Sequence, residues 1–232
     1  MLWVPLSITA AALASAAHAS AWPTSQRWGP SYRRLPTDAA DIALTFDDGP
    51  SNETMRFLDV LDALGVPATF FVCGQNVERQ PRTARAILEA GHALGNHTFS
   101  HPCLPLCPFV RVQREIARTQ DAIAEATGCQ VAIFRPPYGL RSPALRDVLP
   151  DLGLVGVHWS VIGMDWKWSA DRIATRVESR ADPGAIVCLH DGQSTRVRTD
   201  RTQTIQAVRR IVPNLRNRGF RFVRLPAWQA GL

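Results

Sequence analysis

A chain of 232 residues that is 46% hydrophobic and 20% charged has the apolar content to bury a full core, which excludes a disordered chain. At this length an α/β barrel is a single domain, and neither a linker, a low-complexity tract nor an internal repeat divides the sequence. The formal net charge of +6 fits equally a solvated basic surface that aids solubility and an anionic polymer as partner, and without aromatic residues interleaved among the basic ones such a polymer would be an acidic glycan or cell wall before nucleic acid.

Residues 2–17 are almost wholly apolar or small, and Ala17-His18-Ala19 fits a signal-peptidase site. The expected organisation is therefore a leader at 1–19, an N-terminal extension at 20–40 and one domain at 41–232, in a protein exported to the periplasm or beyond. The leader is short for a membrane span and contains Pro5, and no later segment reads as transmembrane.

From residue 42 onward, short apolar runs alternate with amphipathic stretches, the pattern of βα units around a parallel sheet. Strands are expected at 42–46, 68–72, 93–95, 131–134, 154–158, 185–189 and 220–223. Helices are expected at 53–64, 82–90, 110–127, 142–149, 170–179 and 202–217. Gly65 and Gly128 fall just after helices, where a left-handed residue closes the last turn. Periodicity alone allows either a barrel or an open doubly wound sheet.

The chemically rich residues fall at or after strand C-termini, where such folds assemble sites. Asp47 and Asp48 follow the first strand in Thr45-Phe46-Asp47-Asp48-Gly49-Pro50. Alone, that segment also fits a turn whose side chains bond nearby amides. His97 and His101 come later, in His97-Thr98-Phe99-Ser100-His101, at a spacing that sets two imidazoles on one side of a helical turn, with Thr98 or Ser100 as cap. One carboxylate and two imidazoles suit zinc and leave positions open for water and substrate. Asp47 is then free to act as a base. His92, just before a strand, reads as a packing residue. Arg135-Pro136-Pro137-Tyr138-Gly139 is stiffened by its prolines. Ile186-Val187-Cys188-Leu189-His190-Asp191 ends a buried strand in a histidine.

Five cysteines is an odd number for an exported chain. Cys103 and Cys107 flank Leu104-Pro105-Leu106 and are the best candidates for a local disulfide beside His101. Cys73, Cys129 and Cys188 each lie in or next to an apolar run, where reduced cysteine behaves as a small hydrophobe. Their irregular spacing argues against a zinc site built of cysteines.

On these motifs the chain, from about Asp41 to Leu225, resembles the polysaccharide deacetylases of carbohydrate esterase family 4, which carry the NodB-homology domain. The resemblance implies a distorted (β/α)7 barrel and a metal-dependent hydrolase that removes N-acetyl groups from N-acetylglucosamine units of peptidoglycan, chitin oligomers or an exopolysaccharide. Zinc is the first expectation for the metal at Asp48, His97 and His101, with cobalt, nickel and manganese compatible. It further implies Asp47 as catalytic base, Arg135 as its orienting partner, the Tyr138 N–H as an oxyanion donor, His190 as general acid and Asp165 as the acid paired with it. Trp166 would wall the acetyl pocket, with Leu189 beside it in the substrate-binding set; Trp159 and Trp168 read either as sugar-stacking faces or as buried core residues, the commoner fate of tryptophan. Two positions depart from the family pattern: Ile162 stands where an Asp is frequent, and Cys188 where Leu is usual. Both bear on the shape of the acetate pocket. The alternatives are an O-acetyl esterase on xylan or another polysaccharide, and a glycan-binding module without turnover.

Overall fold

The computed structural model describes residues 18–20 and 25–225. The leader expected at 1–19 lies outside the described residues apart from positions 18 and 19. Nine strands form one sheet: β1 (Ser31–Tyr32), β2 (Asp41–Gly49), β3 (Thr69–Val72), β4 (Ala93–Asn96), β5 (Ile133–Phe134), β6 (Val155–Val157), β7 (Val161–Ile162), β8 (Ile186–His190) and β9 (Arg221–Val223). Their order is β1-β6-β5-β4-β3-β2-β8-β7, all pairs are parallel, and β9 pairs with the start of β2. The helices are α1 (Thr54–Leu64), α2 (Gly74–Arg79), α3 (Pro81–Glu89), α4 (Phe109–Thr127), α5 (Leu145–Asp151), α6 (Ala170–Arg180) and α7 (Thr202–Asn217). The sheet curls into a distorted (β/α)7 barrel.

Strand alternation sorts the side chains into two layers. Ile42, Leu44 and Phe46 of β2, Phe70 and Val72 of β3, and Val187 and Leu189 of β8 all pack in the large cluster beneath the helices. There Phe46 lies 4.8 Å from Phe57 and 5.1 Å from Phe70, centroid to centroid. Ala43, Phe71 and Ile186 face the other way, into a smaller cluster with Leu35, Ile133, Val157 and Leu225. Thr45, Asp47, Cys188 and His190 continue that second face towards the strand C-termini. Parallel strands covered on both sides read as nearly continuous apolar runs, which is why β2, β3 and β8 stand out in the sequence.

Seven of the strands and six of the helices coincide with the expected segments to within a few residues. The sequence reading missed β1, β7 and α2. The first two are two-residue strands without a periodic signal, and β1 lies in the segment expected as an N-terminal extension. That segment is not peripheral: β1 pairs with β6, and Leu35 is buried in the inner cluster.

Candidate functional site

A cavity of about 420 Å³ opens among the C-terminal ends of the strands, and Asp47, Asp48, His97, His101 and His190 all line it. Its geometry begins with an irregularity in β2. In a regular strand Asp47 and Asp48 would point to opposite faces. Here the register with β3 shifts between Asp47 and Gly49, and Asp48 takes φ = 75°. This bulge turns the second carboxylate towards the same cavity as the first.

Asp48 Oδ1 lies 3.5 Å from His97 Nε2 and 3.1 Å from His101 Nε2. The three ligand atoms fall within 4.8 Å of one another. His97 Nδ1 donates to the Arg135 carbonyl at 2.7 Å, which leaves Nε2 with its lone pair facing Asp48. The Ser194 N–H donates to Asp48 Oδ2 at 2.8 Å, whereas the buried Oδ1 has no hydrogen-bond partner. A buried carboxylate oxygen aimed at two imidazole nitrogens fits a divalent cation, and the Nδ1 bond of His97 is the kind of outer contact that orients a ligand. Burial works against the charge of Asp48, but the imidazoles of His101 and His97 beside it, with the charge of His190, outweigh burial and hold the carboxyl well below its usual range.

The two histidines do not share a helical turn, as their spacing suggested. Residues 97–101 are irregular, with Thr98 at φ = 67° and His101 at φ = 55°. Asn96 Oδ1 accepts from the Thr98 N–H at 2.9 Å, and Glu115 accepts from both the N–H and the hydroxyl of Ser100. Neither Thr98 nor Ser100 therefore caps a helix. His92 is the packing residue expected: it accepts from the Ala68 N–H and lies against Phe70.

Asp47 is held by Arg135, whose Nη1 donates to Asp47 Oδ1 at 2.7 Å. The guanidinium is fully buried, donates also to Thr45 Oγ1 and the His158 carbonyl, and lies 3.9 Å over the Phe71 ring. So many fixed partners leave Asp47 one orientation. Its other oxygen, Oδ2, accepts from the Cys188 thiol at 3.4 Å. Across the cavity, His190 Nδ1 donates to Asp165 Oδ1 at 2.8 Å, and Asp165 Oδ2 accepts from the His190 N–H and from Thr204 Oγ1. Burial disfavours the imidazolium, yet the Asp165 carboxylate overrides it and, with Asp48 and Asp47, raises His190 to about 9.

The aromatic residues divide. Tyr138 lies at φ = 60° with its ring exposed and edge-on to His101 at 4.7 Å; Trp166 is half exposed and edge-on to His190 at 5.3 Å. Trp159 lines the cavity with them. Trp168 does not: it packs against the main core, with Arg172 and Arg176 over its ring. Leu189 is also displaced from the expected set, because alternation along β8 sends Cys188 and His190 to the cavity and Leu189 into the core against Gly163. Ile162 and Cys188, the two departures noted in the sequence, both line the cavity. Cys103 and Cys107 are free thiols and not the expected bridge; a 3-10 turn at Leu104–Leu106 separates them, and Cys107 Sγ points at the Cys103 carbonyl.

Sequence reasoning missed a supporting tier. Asn76, on the unforeseen α2, donates to the carbonyls of Asp48 and Ser194. Arg201 is buried, lines the cavity and donates to the Gly192 carbonyl. Asp191 accepts from Thr54 Oγ1, and burial raises its carboxyl to about 7. Asp191 was visible beside His190; Asn76 and Arg201 carry no local signal.

The family profile described as polysaccharide deacetylase matches residues 34–157. The chain is 40% identical to a chitooligosaccharide deacetylase of Bradyrhizobium sp. (strain ANU 289) over 196 residues, 80% of this chain and 89% of that one. It is 35% identical to a peptidoglycan-N-acetylglucosamine deacetylase of Bacillus cereus over 194 residues, covering 83% and 69%. A solved peptidoglycan N-acetylglucosamine deacetylase, in complex with a naphthalenyl N-oxidanyl-benzamide, matches with a TM-score of 0.79 and 31% identity over 97% of this chain and 96% of that one.

Proposed function

The chain belongs to the polysaccharide deacetylase family and is an enzyme of that class, and from that premise we propose that it removes N-acetyl groups from N-acetylglucosamine units of a glycan with a divalent metal, zinc first, at Asp48, His97 and His101. The observation that carries the reading is the unpartnered, buried Oδ1 of Asp48 aimed at two imidazole nitrogens. A metal held there supplies a Lewis acid for the acetyl carbonyl and lowers the pKa of a water molecule.

The chain's own groups do the rest. Asp47, fixed through Oδ1 by Arg135, takes the proton of the attacking water on Oδ2. The Tyr138 N–H donates to the oxyanion that develops on the carbonyl oxygen. His190, kept protonated by Asp165, turns Nε2 to the cavity and gives its proton to the departing amine. Trp166 walls the acetyl methyl, and Trp159 offers a face to the sugar. Export, on the strength of the apolar leader at 1–19, would place the basic surface among anionic cell-wall or extracellular glycans.

The test is acetate release from chitin oligomers and from peptidoglycan, with and without chelator. Chelator-sensitive release from either supports the proposal. Release from acetylated xylan, with none from any N-acetylated glycan, would overturn it in favour of the esterase.

A further inference from the structure

Cys188 lines the cavity, yet nothing in the proposed reaction uses its thiol. It stands on the same face of β8 as His190, and its sulfur is 3.4 Å from Asp47 Oδ2. A carboxylate oxygen of Asp47, the Cys188 sulfur and a ring nitrogen of His190 all lie within 4.8 Å of one another. We propose that Asp47, Cys188 and His190 form a second metal site, selective for thiophilic ions such as zinc and cadmium, whose occupation inhibits the enzyme.

The donor set is the first argument. One thiolate, one imidazole and one carboxylate, with a water in the fourth position, suit a borderline-soft tetrahedral ion. Metal–sulfur and metal–oxygen bonds of about 2.3 and 2.1 Å at a tetrahedral angle put sulfur and oxygen about 3.6 Å apart, close to the 3.4 Å found. The outer contacts are the second argument. Asp165 occupies Nδ1 of His190, and Arg135 occupies Oδ1 of Asp47, so each residue presents one remaining donor to the cavity. A carboxylate on the far nitrogen is the usual support of a metal-ligating histidine. Coordination forms bonds to sulfur, nitrogen and oxygen, and releases the thiol proton and the Nε2 proton to solvent with no change of oxidation state.

Occupation ties up the base and the acid of the proposed reaction together. That inhibition rests on the roles proposed above for Asp47 and His190, whereas binding does not.

The experiment titrates the metal-free full chain with cobalt(II) in a Cys103→Ser, Cys107→Ser, Cys129→Ser background, which leaves Cys73 and Cys188. Bound metal is counted by elemental analysis after gel filtration, and thiolate-to-cobalt charge transfer is followed by absorption. The expected result is two ions per chain, with the charge-transfer band growing only with the second. In Cys188→Ala the second ion and the band disappear while the first ion stays. In His190→Ala the second ion binds at least tenfold more weakly, which decides the matter even if Cys188→Ala fails to fold. A single ion, a second ion without the band, or a band that persists in Cys188→Ala would overturn the site. Acetate release measured with zinc in excess should fall as the second site fills; filling without slowing overturns the inhibition and the assigned roles, not the site.

Discussion

At the scale of single residues, the site separates groups that would hold a metal from groups that would move protons. His97→Ala and Asp48→Ala should each lose bound metal and activity together, checked by elemental analysis beside acetate release. Asp47→Asn should keep the metal, because Asp47 faces Arg135 and Cys188 and not the two imidazoles, and lose turnover by about 10²-fold or more. For His190 the sign of the pH effect follows from its raised value of about 9. A histidine raised above its ordinary value of about 6.5 adds stability that is complete below that pH and disappears as pH rises through about 9. Thermal unfolding of the metal-free protein should therefore show Tm falling across that window, and Asp165→Asn should flatten the fall. In turnover, the same variant should move the basic limb of the pH profile downward, because the imidazolium has lost its carboxylate. Asp48, His97 and His101 were legible as a candidate ligand set because residue type and order carry that signal. The way they converge was not, since it depends on left-handed backbone at Asp48 and His101, which spacing does not encode.

At the scale of elements, β2 and β8 do most of the placing. Their pairing sets Asp47 opposite His190 in register, and Asp48 reaches the cavity through the bulge alone. The segment after β8 supports that bulge from the other side. A Cβ on Gly192 would lie 2.1 Å from the Asp48 carbonyl oxygen, a contact backbone must move to relieve. Gly192→Ala should displace Asp48, weaken metal binding and cost about 1–3 kcal/mol of stability, as overpacking does; denaturant unfolding and metal titration measure the two effects separately. The long helices and the apolar strands were legible because amphipathic and apolar periods survive in sequence, as in α4 with Ile116 and Ile123 buried along one side. The two-residue strands β1 and β7 hold too few residues to show a period. Leu189 was misplaced for a related reason: a motif names neighbours, while the pleat decides which of them faces the substrate.

At the scale of the whole molecule, the apolar layer under the helices and the reactive layer at the strand ends are opposite faces of the same strands. Phe46 belongs to the first and its neighbour Asp47 to the second. Phe46→Ala should cost about 3–5 kcal/mol in denaturant unfolding, the usual range for a large aromatic removed from a packed core. Zinc should raise Tm of the whole chain, because a ligand that binds the folded state alone stabilises it by mass action. The six non-glycine residues with positive φ among the described residues are Asp48, Thr98, His101, Tyr138, Met164 and Ser194, and each is a cavity residue or adjoins a site residue. A left-handed backbone under a side chain with a Cβ costs stability, so this fold concentrates its backbone strain around the cavity. The barrel is relaxed over most of its length and tense at one mouth, so heat should loosen that mouth before it melts the sheet.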